Sequence, residues 1–395
     1  MKLAFGALIV AAAAIAGGSI AVTARVQAGG PQGPAQKPPL AEDVFKNVQL
    51  LRGIPIDEFM DTMGFFSAST GLNCQDCHIG ESGGNWSKYA DETPRKATAR
   101  RMMAMVATIN KTNFGGRPVV SCWTCHGGTN RPEVVPDLSV QYSNALPRDP
   151  FQIARSEPGA DSIDTILGKY LQALGGADRL ATLRTLSIKG IYSGWDTLSL
   201  KVPVEILVRA PNQRAMVVHG FDGDMTTVYD GRAGWIAGPE TMKPVPVMAL
   251  TGGNLDAARI ETELFFPARI KEMLTDWRVG PITGIGDRDV QFVQARVRAG
   301  GLPVTLYFDV ESGLLVRVVQ NASSPVGINP RQIDFADYRD VAGIKMPFRW
   351  TVTWTDGRST TAVSEIQPNV AIEGSRFGRP SAPPPKPPAR RAELP

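Results

Sequence analysis

The sequence predicts two folded parts of different class: a mainly α domain with long loops, followed by an α+β domain whose antiparallel sheet curves as a half-barrel over helices. Three observations predict this. The chain of 395 residues is longer than one ordinary domain. Pro147, Pro150 and Pro158 interrupt any periodicity near residues 148–160. Across that break the apolar spacing changes from the repeat of amphipathic helices to short β-type runs separated by glycine turns.

Taken in order, Lys2 precedes an apolar stretch from Leu3 to about Val22, and Val26-Gln27-Ala28 offers small residues for cleavage before Gly29. Residues 1–28 therefore read as a secretory signal, or as an uncleaved N-terminal membrane anchor, since the stretch is about long enough to span a bilayer. No cysteine lies there to carry a lipid, and no second apolar run is long enough to cross a membrane. Residues 29–39 form a Gly/Pro/Gln linker. The first domain, 40–145, opens with an amphipathic helix over 41–51, whose Val44, Val48 and Leu51 share one face. Pro55 starts a second helix through Phe59, Met60, Met63 and Phe66, ended by residues 67–71. Thr93-Pro94 gives an N-cap and a proline at the first helical position, and that helix runs through Met102 and Met105 to Ile109.

Residues 146–160 are read as a linker, and 161–372 as the second domain. A helix over 163–174 is closed by Gly175-Gly176, and a short one follows over 177–183. Strands are expected at 185–192, 205–210, 214–219, 226–229, 290–297, 305–310, 314–320 and 348–354, with one helix at 256–265 interrupting them. Asp222-Gly223, Asp230-Gly231 and Glu311-Ser312-Gly313 provide the turns. Residues 373–395, rich in proline, are expected to form a disordered tail.

The chemistry sits in the first domain. Cys74-Gln75-Asp76-Cys77-His78 and Cys122-Trp123-Thr124-Cys125-His126 use up every cysteine and two of the three histidines. Cys-x-x-Cys-His is the attachment run of a c-type haem: two thiols add to the porphyrin vinyl groups and the histidine ligates iron. A zinc ribbon would separate its pairs by about 15–20 residues, whereas 44 stand between Cys77 and Cys122. A disulfide within either pair would be local and stabilise little. Thioether attachment normally takes place outside the cytoplasm, so the motifs agree with export to the periplasm. The net charge of +4 does not indicate a nucleic-acid partner. Within residues 37–140 eleven Lys/Arg face eleven Asp/Glu, so haem propionates would tip this domain acidic.

Haem iron needs a sixth ligand, and methionine sulfur is the usual partner of a histidine-ligated c haem. Met60 and Met63 lie one turn apart before the first motif, and Met102 and Met105 repeat the spacing before the second. Methionines at helical spacing also serve as core filler.

These stretches, Phe59-Met60-Asp61-Thr62-Met63 before the first motif and Ala99-Arg100-Arg101-Met102-Met103-Ala104-Met105 before the second, resemble the photosynthetic reaction-centre cytochrome c subunit family. The resemblance covers about 100 residues. It implies that each haem is held between a methionine-bearing helix and the following Cys-x-x-Cys-His, with the first methionine of each pair, Met60 and Met102, as axial ligand; Met63 and Met105 are the alternatives. Two features depart from the family. Its best-known members hold four haems where this chain has motifs for two, and an arginine that often follows the second motif's histidine is Gly127 here.

The second domain resembles the outer-membrane lipoprotein-sorting (LolA/LolB-like) superfamily. The phrases that carry this are Tyr170-Leu171-Gln172-Ala173-Leu174-Gly175-Gly176, Tyr229-Asp230-Gly231-Arg232-Ala233-Gly234-Trp235, the run 307–317, and Asp337-Tyr338-Arg339-Asp340-Val341-Ala342-Gly343. The resemblance implies an open half-barrel whose apolar concave face takes a lipid or acyl ligand; a filled core serving as spacer or partner-binding module fits the residues as well. His219 reads as a strand-end residue without a chemical role, and no cluster of acid, base and nucleophile marks this domain as an enzyme.

The leading expectation is a periplasmic electron carrier with two covalent haems, exchanging electrons with redox partner proteins. Two other readings fit the residues. One is a dihaem enzyme such as a peroxidase, which needs an open iron position. The other is a lipid or lipoprotein carrier in which the haem domain senses redox state. Trp123 is expected to pack in the core or beside the haem edge.

Overall fold

The computed structural model describes residues 37–83, 85–135, 161–239 and 243–383. The signal or anchor segment, most of the linkers and residues 384–395 lie outside the described residues. Among those described, no helix is long and apolar enough to cross a membrane.

The first part is helical. α1 (Ala41–Val44) is shorter than the expected 41–51 helix. Phe45 turns to extended backbone and stacks on Phe59 with ring centroids 5.1 Å apart, and Asn47 adopts φ 64°, so the stripe Val48–Leu51 is delivered by a loop. α2 (Ile56–Thr70) starts on Pro55 and ends at Gly71, whose φ of 66° is the left-handed conformation glycine adopts without strain. α3 (Cys74–Cys77) and α5 (Cys122–His126) are single turns that carry the two motifs. Between them runs α4 (Pro94–Asn113), capped by Thr93. The small core of this part gathers Leu51 and Phe65 with Phe59, Met63 and Met103, and it includes Val326 from the other end of the chain. The first part therefore shares its core with the second.

The second part begins with α6 (Ile163–Ala173) and α7 (Ala177–Leu180). Thirteen strands follow: β1 (Thr185–Gly194), β2 (Val202–Arg209), β3 (Gln213–Gly220), β4 (Gly223–Tyr229), β5 (Gly234–Ala237), β6 (Val247–Leu250), β7 (Leu274–Ile285), β8 (Arg288–Val297), β9 (Pro303–Asp309), β10 (Leu315–Ser324), β11 (Gly327–Val341), β12 (Ile344–Trp354) and β13 (Gly357–Pro368). They form one sheet in the order β6-β5-β4-β3-β2-β1-β13-β12-β11-β10-β9-β8-β7, with every pairing antiparallel. Two meanders are thus joined by the pairing of the first strand with the last. Between the edge strands β6 and β7 the chain passes through α8 (Gly252–Glu263) and α9 (Ile270–Met273).

The sheet is strongly curved. Met216 on β3 and Leu315 on β10 line one cavity together with Tyr170 of α6 and Phe265 beyond α8. In a flat sheet those strands, six positions apart, would be about 29 Å from each other. The buried side chains of β1 and β2 alternate with exposed ones and meet α6, α7 and α8 in a single core.

All eight expected strands are present. The five that sequence patterning misses have identifiable reasons. β5 and β6 have four residues each, β7 is an edge strand interrupted by two bulges, and β11 and β13 are rich in polar residues, with Ser359 and Thr361 facing the core. Ordered structure also continues past residue 372. Gly374–Phe377 forms a 3₁₀ turn, and Phe377, 1% exposed, packs on Ala215 and Val228 under the Arg209 guanidinium, 4.7 Å from its ring centroid.

Candidate functional site

Each motif folds as a capped turn. Asn73 Oδ1 accepts from the Gln75 and Asp76 amides (2.9 and 3.2 Å), and Asp76 returns a carboxylate oxygen to the Asn73 amide at 2.9 Å. Ser121 and Thr124 repeat this reciprocal arrangement before the second motif. These are capping boxes, in which two otherwise orphaned amides are satisfied, so segments of only four and five residues can hold a helical turn. Asn73, Asp76, Ser121 and Thr124 escape a search for reactive residues, although their three-residue spacing is visible in the sequence.

α4 grips both motifs. At its N-terminal end the Thr93 hydroxyl donates to the Cys77 carbonyl at 2.6 Å, and Arg95 Nη1 donates to the Asp76 carbonyl at 2.8 Å. At its C-terminal end the buried Asn110 both donates to the Val120 carbonyl (2.7 Å) and accepts from its amide (2.9 Å). The second motif is held from its other side by α2, through a bond from the Gly128 amide to the Ser69 carbonyl at 2.9 Å. A β-carbon on Gly71 would stand 2.5 Å from the Gly128 oxygen, so glycine there permits the approach. Gly127 takes φ 57° as the cap of α5.

Both imidazoles are fixed in the same way. His78 Nδ1 lies 3.1 Å from the Tyr89 carbonyl, and His126 Nδ1 lies 3.0 Å from the Thr129 carbonyl. A carbonyl oxygen only accepts, so each Nδ1 carries the proton and each Nε2 keeps a free lone pair for a metal. The two environments differ. Tyr89 belongs to a 3₁₀ turn (Trp86–Ala90) whose aromatic ring sits edge-on to His78 at 4.8 Å. Burial pushes the His78 imidazole pKa down, and the nearby Lys96 ammonium adds to this. Lys96 Nζ donates to the same Tyr89 carbonyl at 2.8 Å. His126, by contrast, bonds within a local exposed turn.

The four cysteines are free, and burial raises the pKa of the Cys74, Cys77 and Cys122 thiols. Among the described residues no three His, Cys, Asp or Glu side chains converge on a point, so the two pairs do not build one tetrahedral metal centre.

The methionines divide. Met63 packs in the shared core, as does Met103, which was not among the candidates. Met60 is only half buried and stays out of that cluster, while Met102 and Met105 are 43% and 45% exposed. Trp123 is 51% exposed with its ring against Gly128, so it is not a core residue. Exposed apolar side chains on α4 and α5, two elements in contact, form a surface that a porphyrin would cover. Free thiols, uncommitted Nε2 atoms and this surface fit covalent haem. His219 Nδ1 meets Asp224 Oδ1 at 2.9 Å on the β3–β4 hairpin.

A helical region with two Cys-x-x-Cys-His runs is docked on an open antiparallel sheet. Residues 19–148 match the family described as photosynthetic reaction centre cytochrome C subunit. The photosynthetic reaction center cytochrome c subunit of Thermochromatium tepidum is 32% identical over 114 residues, 27% of either chain. Cytochrome c-554 of Chloroflexus aurantiacus is 32% identical over 108 residues, 26% of this chain and 24% of its own. The chain thus spans about a quarter of the length of these relatives. Among solved structures, a DUF1329 family protein from Desulfovibrio piger aligns with TM-score 0.39 and 10% identity, covering 55% of this chain and 98% of its own. A LolA superfamily protein from Nitrosomonas europaea aligns with TM-score 0.37 and 14% identity, covering 54% and 96%. The N-terminal region resembles the first family and the β-rich region the second.

Proposed function

We propose that this protein is an exported dihaem c-type cytochrome that carries electrons between redox partner proteins in the periplasm. The observation that carries the reading is the paired imidazole geometry: both histidines of the two attachment runs commit Nδ1 to a backbone carbonyl and present Nε2. Cys74 and Cys77 would hold the first haem and Cys122 and Cys125 the second, with His78 and Met60, and His126 and Met102, on the two faces of iron. Covalent haem would supply a reversible one-electron iron couple, and a methionine ligand raises its potential. The polypeptide's part is to fix the imidazole tautomer, keep a sulfur on the opposite face and shield the site from water. The packing of Met63 in the core favours Met60 over it as ligand. A methionine ligand at both irons would leave no open position, and that is what separates this reading from a peroxidase.

The test is haem stoichiometry and visible spectra of protein made in a host that matures c-type cytochromes, together with Met60→Ala and Met102→Ala. Two covalent haems and the loss of one methionine–iron band in each variant are expected. One haem, or bands indifferent to both substitutions, overturns the reading.

A lipid-carrier role for the second part finds one supporting observation, the cavity between α6, α7 and the sheet. Its volume of about 90 Å³ is far below the ~300–1,000 Å³ of small-molecule sites. Burial is otherwise continuous from α6 through β1 and β2. Co-purification of lipid with the full-length protein supports the carrier reading, and its absence favours a scaffold role.

A further inference from the structure

α2 carries the proposed ligand of the first haem, and one whole face of it lies on the second part. Asp57, Glu58, Asp61, Gly64 and Phe65 recur at the spacing of a single helical face. Asp57 is 2% exposed and sits at the start of α8. The N-cap of α8, Thr251, makes no side-chain cap of its own. Asp57 supplies it across 194 residues: Oδ2 accepts from the Thr251 amide and Oδ1 from its hydroxyl, both at 2.7 Å. Asn254 Nδ2 then bridges two turns of α2, donating to Asp57 at 3.2 Å and to Asp61 at 2.7 Å. A carboxylate on a helix N-terminus with three donors aimed at it is a strong, directional contact. One turn beyond Asp61, Gly64 meets the Asp356 carboxylate of the β12–β13 turn, where a β-carbon would lie 2.9 Å away, and Phe65 packs on Val326 and Gly327.

Met60 falls between Asp57 and Asp61, the two residues that Asn254 ties together. α4, the helix of Met102, commits its side chains inside the first part instead, Arg100 to Glu92 and Asn110 to Val120. We propose that the second part is a component of the first haem's site: the N-terminal end of α8, through Thr251 and Asn254, holds α2 and so positions Met60, while Met102 stands on α4, which neither residue touches, and α2 reaches the second motif only at its far end, through Ser69 and Gly71. Thr251 and Asn254 are positioning residues more than 170 residues beyond the first haem motif. The inference rests on Met60 as ligand.

Thr251→Val combined with Asn254→Leu tests it in the full-length protein, because both substitutions are neutral and leave the charge around the haem unaltered. In a Met102→Ala background the remaining methionine–iron band reports the first haem, and imidazole is titrated as a competitor for its methionine. Imidazole is expected to displace the band at roughly tenfold lower concentration, the size of one lost charge-assisted hydrogen bond. Backbone amides of α2 should exchange hydrogen faster, and Thr251→Ser should restore both. The second haem, read in a Met60→Ala background, should change far less, because α2 meets its motif two to three turns away from Asp57 and Asp61. Equal weakening at both haems, or unaltered competition at the first, overturns the positioning role. A band that survives Met60→Ala combined with Met102→Ala overturns the ligand assignment instead, so the two failures are distinct. Should the double variant not accumulate, Asn254→Ala alone carries the same test.

Discussion

Phe65 and Gly327 offer a measure of how firmly the two parts are joined. Phe65 is buried in the shared core beside Leu51 and Val326, and a β-carbon built on Gly327 would stand 2.2 Å from Phe65 Cζ and 2.7 Å from Cε1. Phe65→Ala removes a buried ring and should cost about 3–5 kcal/mol. Gly327→Ala drives a methyl group into that ring and should cost about 1–3 kcal/mol. With Phe65 already truncated the methyl group enters the vacated space. The double variant should therefore lose less than the two single costs together, keeping only the backbone strain of alanine at the Gly327 φ of 158°, a coupling of about 1–3 kcal/mol favouring the pair. Urea unfolding of the four proteins, followed by circular dichroism, completes the cycle. If the two costs simply add within about 0.5 kcal/mol, the residues do not touch and the shared core described above is wrong.

Other outcomes follow from single sites. Glu261 of α8 lies between Arg331 Nε (2.7 Å) and Arg214 Nη2 (3.2 Å). Burial opposes its ionisation, but the two guanidiniums outweigh this and hold its pKa below the ordinary carboxylate value. Glu261→Gln leaves two cations facing each other and should cost about 3–5 kcal/mol at neutral pH. A depressed folded-state pKa gives stability that is present above the unfolded value of about 4 and lost as pH falls through the folded one, so the gap in urea midpoint between wild type and variant should narrow below about pH 4. Asn110→Ala strips both partners from the Val120 peptide; a loss of about 1–3 kcal/mol, with lower haem incorporation at the second motif than at the first, should appear in haem-stained peptides. Gly71→Ala places a side chain at φ 66° and against the Gly128 carbonyl, and the same assay should show the second motif alone affected.

The attachment residues were legible because Cys-x-x-Cys-His is contiguous and its turn is capped by neighbours three residues apart. The choice among methionines was not: Met60 and Met63 look equivalent in a helical pattern, and only the packing of Phe59, Met63 and Phe66 on the shared core separates them. The two-part organisation was visible in the change of periodicity near residue 150, yet the joint was hidden. Its contacts pair Asp57 with Thr251 and Phe65 with Val326, separations that no local pattern records. α8 begins four residues before its apolar pattern does, at an N-cap, Thr251, whose amide and hydroxyl are held by Asp57 rather than by a nearby side chain.

β1 pairs with β13 along nine positions at the middle of the sheet. During synthesis β1 emerges about 170 residues ahead of that partner, and everything that receives α2 (Thr251, Val326, Asp356) also arrives late. Long-range pairings of this kind form slowly and last. The order of pairing thus sets an order of assembly: the cysteines and the helix ahead of them stand open while the chain is being made, and the half-barrel closes over that helix only when its final strands are in place. A chain ending before β13 should leave α2 open to proteolysis, where the complete one protects it.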